Sequence, residues 1–527
     1  MCGPIVLFIN KAALVFIIKV IIKFIVEKSM SILNRGLKNT GSQVLKGFFL
    51  FLLSILLARF LGPKLFGIYS VFGVIALQLW GVLDSGLQRA FFYTTSSAAQ
   101  PKSFYSLYII IFVSQVILGL IFTSVLYLNL DVYKEASQFF NFGLAILVFT
   151  GLMSQKSMLN TTTMLADLGR RSWIGNAVEA VSYCTHCIFL LWIMEQGYSQ
   201  ELFLRFLLFQ NVSNVFFSIF LVKKFVPIFD IKAKVTYRDH LLKLWIYCRP
   251  LVPYLLMSAV IISFEQVLLL AYGSEEQAGF YAIAVRLGLI CIVITSGFLN
   301  IISREISELS SLGKLNEVKK LIMSGVELVF LVSSVIAGFF LFFSEEVVLF
   351  LYGSEYLEAA TVQIIYCLYI PVQAVGQLVA ACYFALAKTK LYASAQMLAQ
   401  VLGLLLFYIV IKFFAEEISN RSDVALAAKF LVVYIFSHGY CYLQIVGKDS
   451  GVSSVVKLVS FAVLVIVIGM VSKNLGYFIV GLNLSLHWVI LLSGMVYAIF
   501  ALTLIYVLDN VSKGALFRKN FLRLMST

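Results

Sequence analysis

The sequence predicts an all-α polytopic membrane protein of about fourteen transmembrane helices, two parallel six-helix lobes plus two C-terminal helices. Three observations predict it. Hydrophobic residues make up 61% of the 527 and charged residues 13%, where a soluble globular chain carries about 25% charged. Apolar runs long enough to cross a hydrocarbon core of about 30 Å, which takes roughly 20 residues, recur along the whole chain. Finally, one helix-break-helix outline occurs twice, as Leu57-Ala58-Arg59-Phe60-Leu61-Gly62-Pro63-Lys64-Leu65-Phe66-Gly67-Ile68-Tyr69 and as Leu270-Ala271-Tyr272-Gly273-Ser274-Glu275-Glu276-Gln277-Ala278-Gly279-Phe280-Tyr281. Each copy ends an apolar helix in Leu-Ala, breaks at a glycine, and restarts at a second glycine followed two residues on by tyrosine.

The elements follow in order. Ile5 to Val26 is apolar but carries Lys11, Lys19 and Lys23 on one broad helical face, which reads as an interfacial amphipathic extension over residues 1–29. A second reading starts the chain at Met30, whose Met-Ser-Ile-Leu-Asn-Arg is a plausible native beginning. No small-residue cleavage site follows the apolar run, so a signal peptide is not expected. Spans at 44–61, 66–86, 104–127, 139–163, 174–194 and 202–222 make an N-lobe over 30–222. A connector at 223–249 carries Lys223, Lys224, Lys232, Lys234, Arg238, Lys243 and Arg249. Spans at 250–271, 278–302, 321–343, 361–386, 391–411 and 426–446 make a C-lobe over 250–446. The remainder, 447–527, holds spans at 455–476 and 485–508 and a basic tail of Lys513, Arg518, Lys519 and Arg523, read as a headgroup anchor. Six spans before the connector is an even number, so both lobes run in the same direction as a parallel repeat, the arrangement of transporters whose lobes rock about a central cavity.

Charge sets the expected orientation, because short cytoplasmic loops collect Lys and Arg. Most of the 40 basic residues fall in alternate connectors, whereas Glu275 and Glu276, and then Glu345, Glu346, Glu355 and Glu358, mark connectors of the other side. Both termini are therefore expected in the cytoplasm. The net charge of +14 follows from this topology and from apposition to anionic membrane lipids, so it is no argument for nucleic acid.

Eight cysteines are scattered through apolar spans and imply no disulfide framework. Cys184-Thr185-His186-Cys187 has the outline of a redox or metal motif but lies inside a span without a second ligand pair, so it reads as packed core, as do His438 and His487. No metal site, cofactor or Walker sequence is predicted. Ionisable groups inside spans remain, each costing roughly 2.5 to 3.5 kcal/mol on insertion and so tending to face a cavity or a partner. Arg286 is the most interior cation, and Glu265 on the preceding span lies at a similar depth, within roughly 3 Å along the helix axes. Two readings stand. Either the two form an ion pair across the hairpin, or Arg286 contacts an anionic substrate group while Glu265 holds it or carries a coupling proton. Arg249, before Pro250, reads as a contact for a phosphate or as a positive-inside anchor, and Arg59 and Arg89 complete the cationic substrate-binding candidates. Asp84, Arg89, Glu179 and Glu327, near cytoplasmic span ends, are expected to be solvated or to meet headgroups. Gly62, Gly67, Gly273 and Gly279 are gate or hinge candidates at the two corners, or ordinary turn glycines.

The first corner, with Asp84-Ser85-Gly86-Leu87, Gly279-Phe280-Tyr281-Ala282-Ile283-Ala284 and Leu351-Tyr352-Gly353-Ser354-Glu355-Tyr356, resembles motifs of O-antigen and polysaccharide flippases, members of the multidrug, oligosaccharidyl-lipid and polysaccharide exporter superfamily. The resemblance covers residues 30 to 450 and the last two spans by hydropathy alone; Ser85 stands where that family has Leu. It implies a carrier and not an enzyme, moving an undecaprenyl-pyrophosphate-linked oligosaccharide across the bacterial cytoplasmic (inner) membrane by alternating access. It also implies a coupling proton or sodium ion, and a polysaccharide polymerase and chain-length regulator as partners. A drug or cation antiporter of the same superfamily would share the fold but prefers carboxylates in its cavity. A polysaccharide polymerase or ligase would present a large outer loop with catalytic Arg or His, which this sequence does not contain.

Overall fold

The structure, a computed structural model, describes residues 32–84, 172–225, 237–249, 252–413, 421–480 and 486–511 almost completely, with isolated residues between 87 and 151. The extension 1–29, the basic tail, Arg89 and most of the spans expected at 104–127 and 139–163 lie outside the described residues. Every regular element described is helical. They are α1 (Ile32–Asp84), α2 (Ser172–Met194), α3 (Gln200–Phe225), α4 (Tyr237–Cys248), α5 (Val252–Tyr272), α6 (Glu275–Ser311), α7 (Leu315–Phe342) and α8 (Ser344–Leu351). A 3-10 turn at Ser354–Tyr356 leads to α9 (Ala359–Ala385), α10 (Thr389–Phe413), α11 (Ser422–Val446), α12 (Lys448–Val480) and α13 (Leu486–Val511). Nine of the described helices are long and apolar enough to cross a membrane. The chain is an all-α polytopic membrane protein, and it divides into two compact units, Met1–Val267 and Leu268–Thr527.

In the first unit, α1 contains the expected first corner as a kink without a loop. Gly62 has φ 71° and ψ 171°, a conformation closed to side chains with a Cβ, and Pro63 follows it. Proline suits the first position of the restarted helix because its missing N–H would have no helical acceptor there. Phe60 and Tyr69 flank Phe203 of α3 with ring centroids at 6.4 and 6.0 Å, so the aromatic residues of the motif clamp the kink. α2 packs along α1, and the Cys187 thiol points at the Phe49 carbonyl at 3.6 Å.

In the second unit, the corresponding corner is a true break. Gly273 and Ser274 separate α5 from α6, and Ser274 Oγ accepts the Gln277 backbone N–H at 3.2 Å as an N-cap. α9 lies against α6, α7 and α11, and α10 lies against α11. α6 continues past its expected end at 302 because Ile302, Ile306 and Leu309 keep helical spacing and bury against Ile322 and Val326 of α7 and Leu378 of α9. α12 and α13 dock on α7: the Tyr497 hydroxyl donates to the Val335 carbonyl at 2.6 Å, and Lys457 pairs with Glu327 at 3.1 Å.

Two helices were not expected. α4 occupies the basic connector and α8 the acidic one, where Tyr352 and Tyr356 are buried. Both are short pieces that mix charged with apolar residues.

Candidate substrate-handling residues

Arg286 sits on α6, three turns past the second corner, and is half-buried. Its neighbourhood includes the Leu351-to-Tyr356 motif. Tyr356 is almost fully buried and meets Phe280 edge-on at 6.3 Å, so two of the short motifs quoted above touch in space. Burial pushes the Tyr356 phenol far above its ordinary range, Glu355 and Tyr352 push it further, and the Arg286 guanidinium acts in the opposite direction. Arg286 is thus a half-buried cation whose field reaches a buried phenol.

Glu265 on α5 is wholly buried. Arg59 is half-buried one turn before the Gly62 kink, and Arg249 is exposed just after α4. Gly62 and Gly273 mark the two breaks, whereas Gly67 and Gly279 lie buried inside the helices that follow.

Two of the carboxylates expected to be solvated are not. Glu179 is fully buried on α2 and pairs with Lys46 of α1. Glu327, close to fully buried, takes the Lys457 ammonium and the Ser454 hydroxyl, the latter at 3.5 Å. An uncompensated carboxylate at either position would be costly, and each has found a basic partner on a neighbouring helix.

The Cys184-Thr185-His186-Cys187 stretch packs as core. Both thiols are buried and unbridged. His186 Nε2 lies 2.5 Å from Ser213 Oγ, whose own proton goes to the Gln210 carbonyl at 3.0 Å, so the ring N–H is the donor. Among the described residues no cluster of His, Cys, Asp and Glu could hold a metal.

Two polar features escaped the sequence reading, Lys429 and the Arg421–Asp423 pair, while His438 packs as the sequence indicated. Lys429, only 5% exposed, extends its ammonium over the Phe430 ring at 3.8 Å, and its stem lies against Gly403. It is more enclosed than Arg286 although nearer a helix end; its position inside an apolar span was the available signal. His438 is held by Gln396 at 3.4 Å within a tyrosine-rich interior of Tyr366, Tyr369 and Tyr434. At the start of α11, Arg421 grips the buried Asp423 through two hydrogen bonds of 3.0 and 2.9 Å and reaches Glu358 at 3.6 Å. Ser422 next to it donates its backbone N–H to Gln277 Oε1 and its hydroxyl to the Tyr272 carbonyl, tying α11 to the second corner.

These helices define an all-α polytopic membrane protein. No protein-family model matches the chain, and no curated protein matches it either. Solved structures do. A structure described as lipid II flippase MurJ in an inward closed conformation is similar at TM-score 0.60 and 16% identity, over 90% of this chain and 99% of its own. The Vibrio cholerae MATE transporter VcmN is similar at TM-score 0.54 and 12% identity, over 80% and 98%. A MOP superfamily transporter from Pyrococcus furiosus is similar at TM-score 0.55 and 11% identity, over 80% and 99%. The chain therefore has the fold of MOP superfamily transporters.

Proposed function

We propose that the protein is a flippase that carries undecaprenyl-pyrophosphate-linked oligosaccharide repeat units, of O-antigen or capsular type, across the bacterial cytoplasmic membrane by alternating access of its two lobes. The observation that carries this reading is Arg286, a half-buried guanidinium far inside an apolar helix in a fold shared with a lipid II flippase. A pyrophosphate and its sugars cannot enter hydrocarbon unaided, and a half-buried cation compensates the phosphate charge. The polyprenyl tail needs no such help and stays in lipid. Glu265 serves either to hold Arg286 or to carry a coupling proton, and Arg249 and Arg59 are further contacts for the anionic group.

A drug or cation antiporter is the second reading, favoured by the MATE likeness and by Glu265 as a buried carboxylate. Reconstituted vesicles separate the two. Transfer of lipid-linked repeat units without dye efflux supports the flippase; dye efflux driven by an ion gradient, without such transfer, sinks it.

A further inference from the structure

We propose that α4 is an interfacial helix that docks on anionic phospholipid headgroups and anchors the connector between the two lobes to the membrane surface. The twelve residues of α4 turn Leu244 and Cys248 into the protein, where they are 2% and 5% exposed. On the neighbouring arc Leu241, Leu242, Trp245 and Ile246 stand out at 45, 56, 55 and 65% exposure. α4 is too short to span a bilayer, so this apolar arc is not a transmembrane surface.

Its location is fixed by its neighbours. α3 and α5 are both long and apolar enough to cross the membrane, and only three residues separate Cys248 from Val252 at the start of α5. At most about 3.6 Å per residue, that link holds the end of α4 within roughly 14 Å of a spanning helix. Cys248 also feels the charge of Asp84, the last residue of α1, so α4 lies at the end of the unit where α1 stops. A short helix held at the bilayer edge with a Trp-bearing apolar arc has the geometry of a segment lying in the interface plane.

Charge selects the occupant. The connector 223–249 has seven basic residues and two acidic ones, Asp230 and Asp239, and Arg249 is exposed at the end of α4. Anionic headgroups supply the complementary charge beside an apolar layer into which Leu241, Leu242, Trp245 and Ile246 insert. A soluble protein or a second copy of the chain would have to match both features, whereas an anionic bilayer presents them already.

The test uses the full chain in nanodiscs of phosphatidylcholine alone and of an equal mixture with phosphatidylglycerol. The Trp245 signal is the difference in emission between the protein and Trp245→Phe, probed with brominated acyl chains from the lipid side and iodide from the aqueous side. Docking predicts strong quenching by brominated lipid and protection from iodide in the mixed bilayer, with the lipid quenching much reduced in phosphatidylcholine. Replacing Lys232, Lys234 and Arg238 by Gln should raise the phosphatidylglycerol fraction needed for half-maximal quenching by roughly fivefold or more. Quenching by iodide in the mixed bilayer overturns the proposal, as does equal lipid quenching in both bilayers. Protection from both quenchers overturns it too, because another protein surface would then cover the face. Size-exclusion profiles of the variants, measured alongside, show that they remain folded, and lipid docking is read independently of whatever cargo the protein carries.

Discussion

At the residue scale, the Arg421 to Asp423 fork closes the start of α11. Asp423 is fully buried and also accepts the Val424 N–H at 2.9 Å, so its carboxylate has polar partners on several sides. The two hydrogen bonds it accepts hold the Arg421 guanidinium in its charged form and raise its pKa further. Removing one member of such a pair costs more than removing both, because a buried charge is left behind. Arg421→Ala should therefore lower stability by about 3 kcal/mol, while Arg421→Met with Asp423→Leu should recover most of it. Thermal unfolding in detergent measures both, and equal losses in the single and double variants would refute the argument. Gly62 makes a second case. With φ 71° and ψ 171°, Gly62→Ala forces a side chain into a region essentially reserved for glycine, at about 1 to 3 kcal/mol. An unchanged melting temperature would show that the kink can relax. Cys248 gives a pH signature. Burial, with Asp84 adding to it, pushes its thiol from 9.0 up to about 11. A folded pKa above the unfolded one means that this contribution to stability is intact below pH 9 and is lost as pH rises toward 11. Alkylation of Cys248, followed by peptide mass spectrometry, should be slow at neutral pH and speed up through that window, and Asp84→Asn should shift the rise to lower pH.

At the element scale, what could be read in the sequence depends on whether the signal runs along the chain or across it. Most described spans begin and end within a few residues of their expected limits, because hydropathy is a property of the segment itself. Lys46 with Glu179 and Lys457 with Glu327 could not be found that way. Each carboxylate sits near a span end, where a solvated fate is the ordinary one, and only the packing of α1 on α2 or of α12 on α7 reveals the partner. α4 was hidden for a different reason: the charge of the connector masked the spacing of Leu241, Leu244, Trp245 and Cys248. The docking of α12 on α7 also rests on close approach, since a Cβ on Gly469 would collide with the Phe342 ring. Gly469→Val should thus push α12 away from α7, at about 1 to 3 kcal/mol for overpacking. A disulfide trap between cysteines placed on the facing turns would then form more slowly than in the parent, and an unchanged rate would disprove the contact.

At the scale of the whole molecule, the repeated corners show how far a motif can be followed. Gly62 and Gly273 break their helices as the outline suggested, yet by different devices, a positive-φ glycine followed by proline in one and a serine cap in the other. Arg286 was visible as a charge in an apolar span, but its surroundings were not, because Tyr356 comes from a connector far along the chain. That setting makes the decisive substitution Arg286→Lys. Lysine keeps the charge but presents a compact ammonium instead of a planar two-pronged donor. If Arg286 binds a pyrophosphate bidentately, Arg286→Lys should retain part of the transfer of lipid-linked units and Arg286→Ala should lose it, by about tenfold or more for one charged hydrogen-bonded contact. If Arg286 only neutralises a neighbouring carboxylate, Arg286→Lys should transport normally, and Arg286→Ala should unfold at lower temperature. Transfer assays in vesicles read together with melting curves separate these outcomes, since a binding role moves transport at constant stability and a structural role moves both.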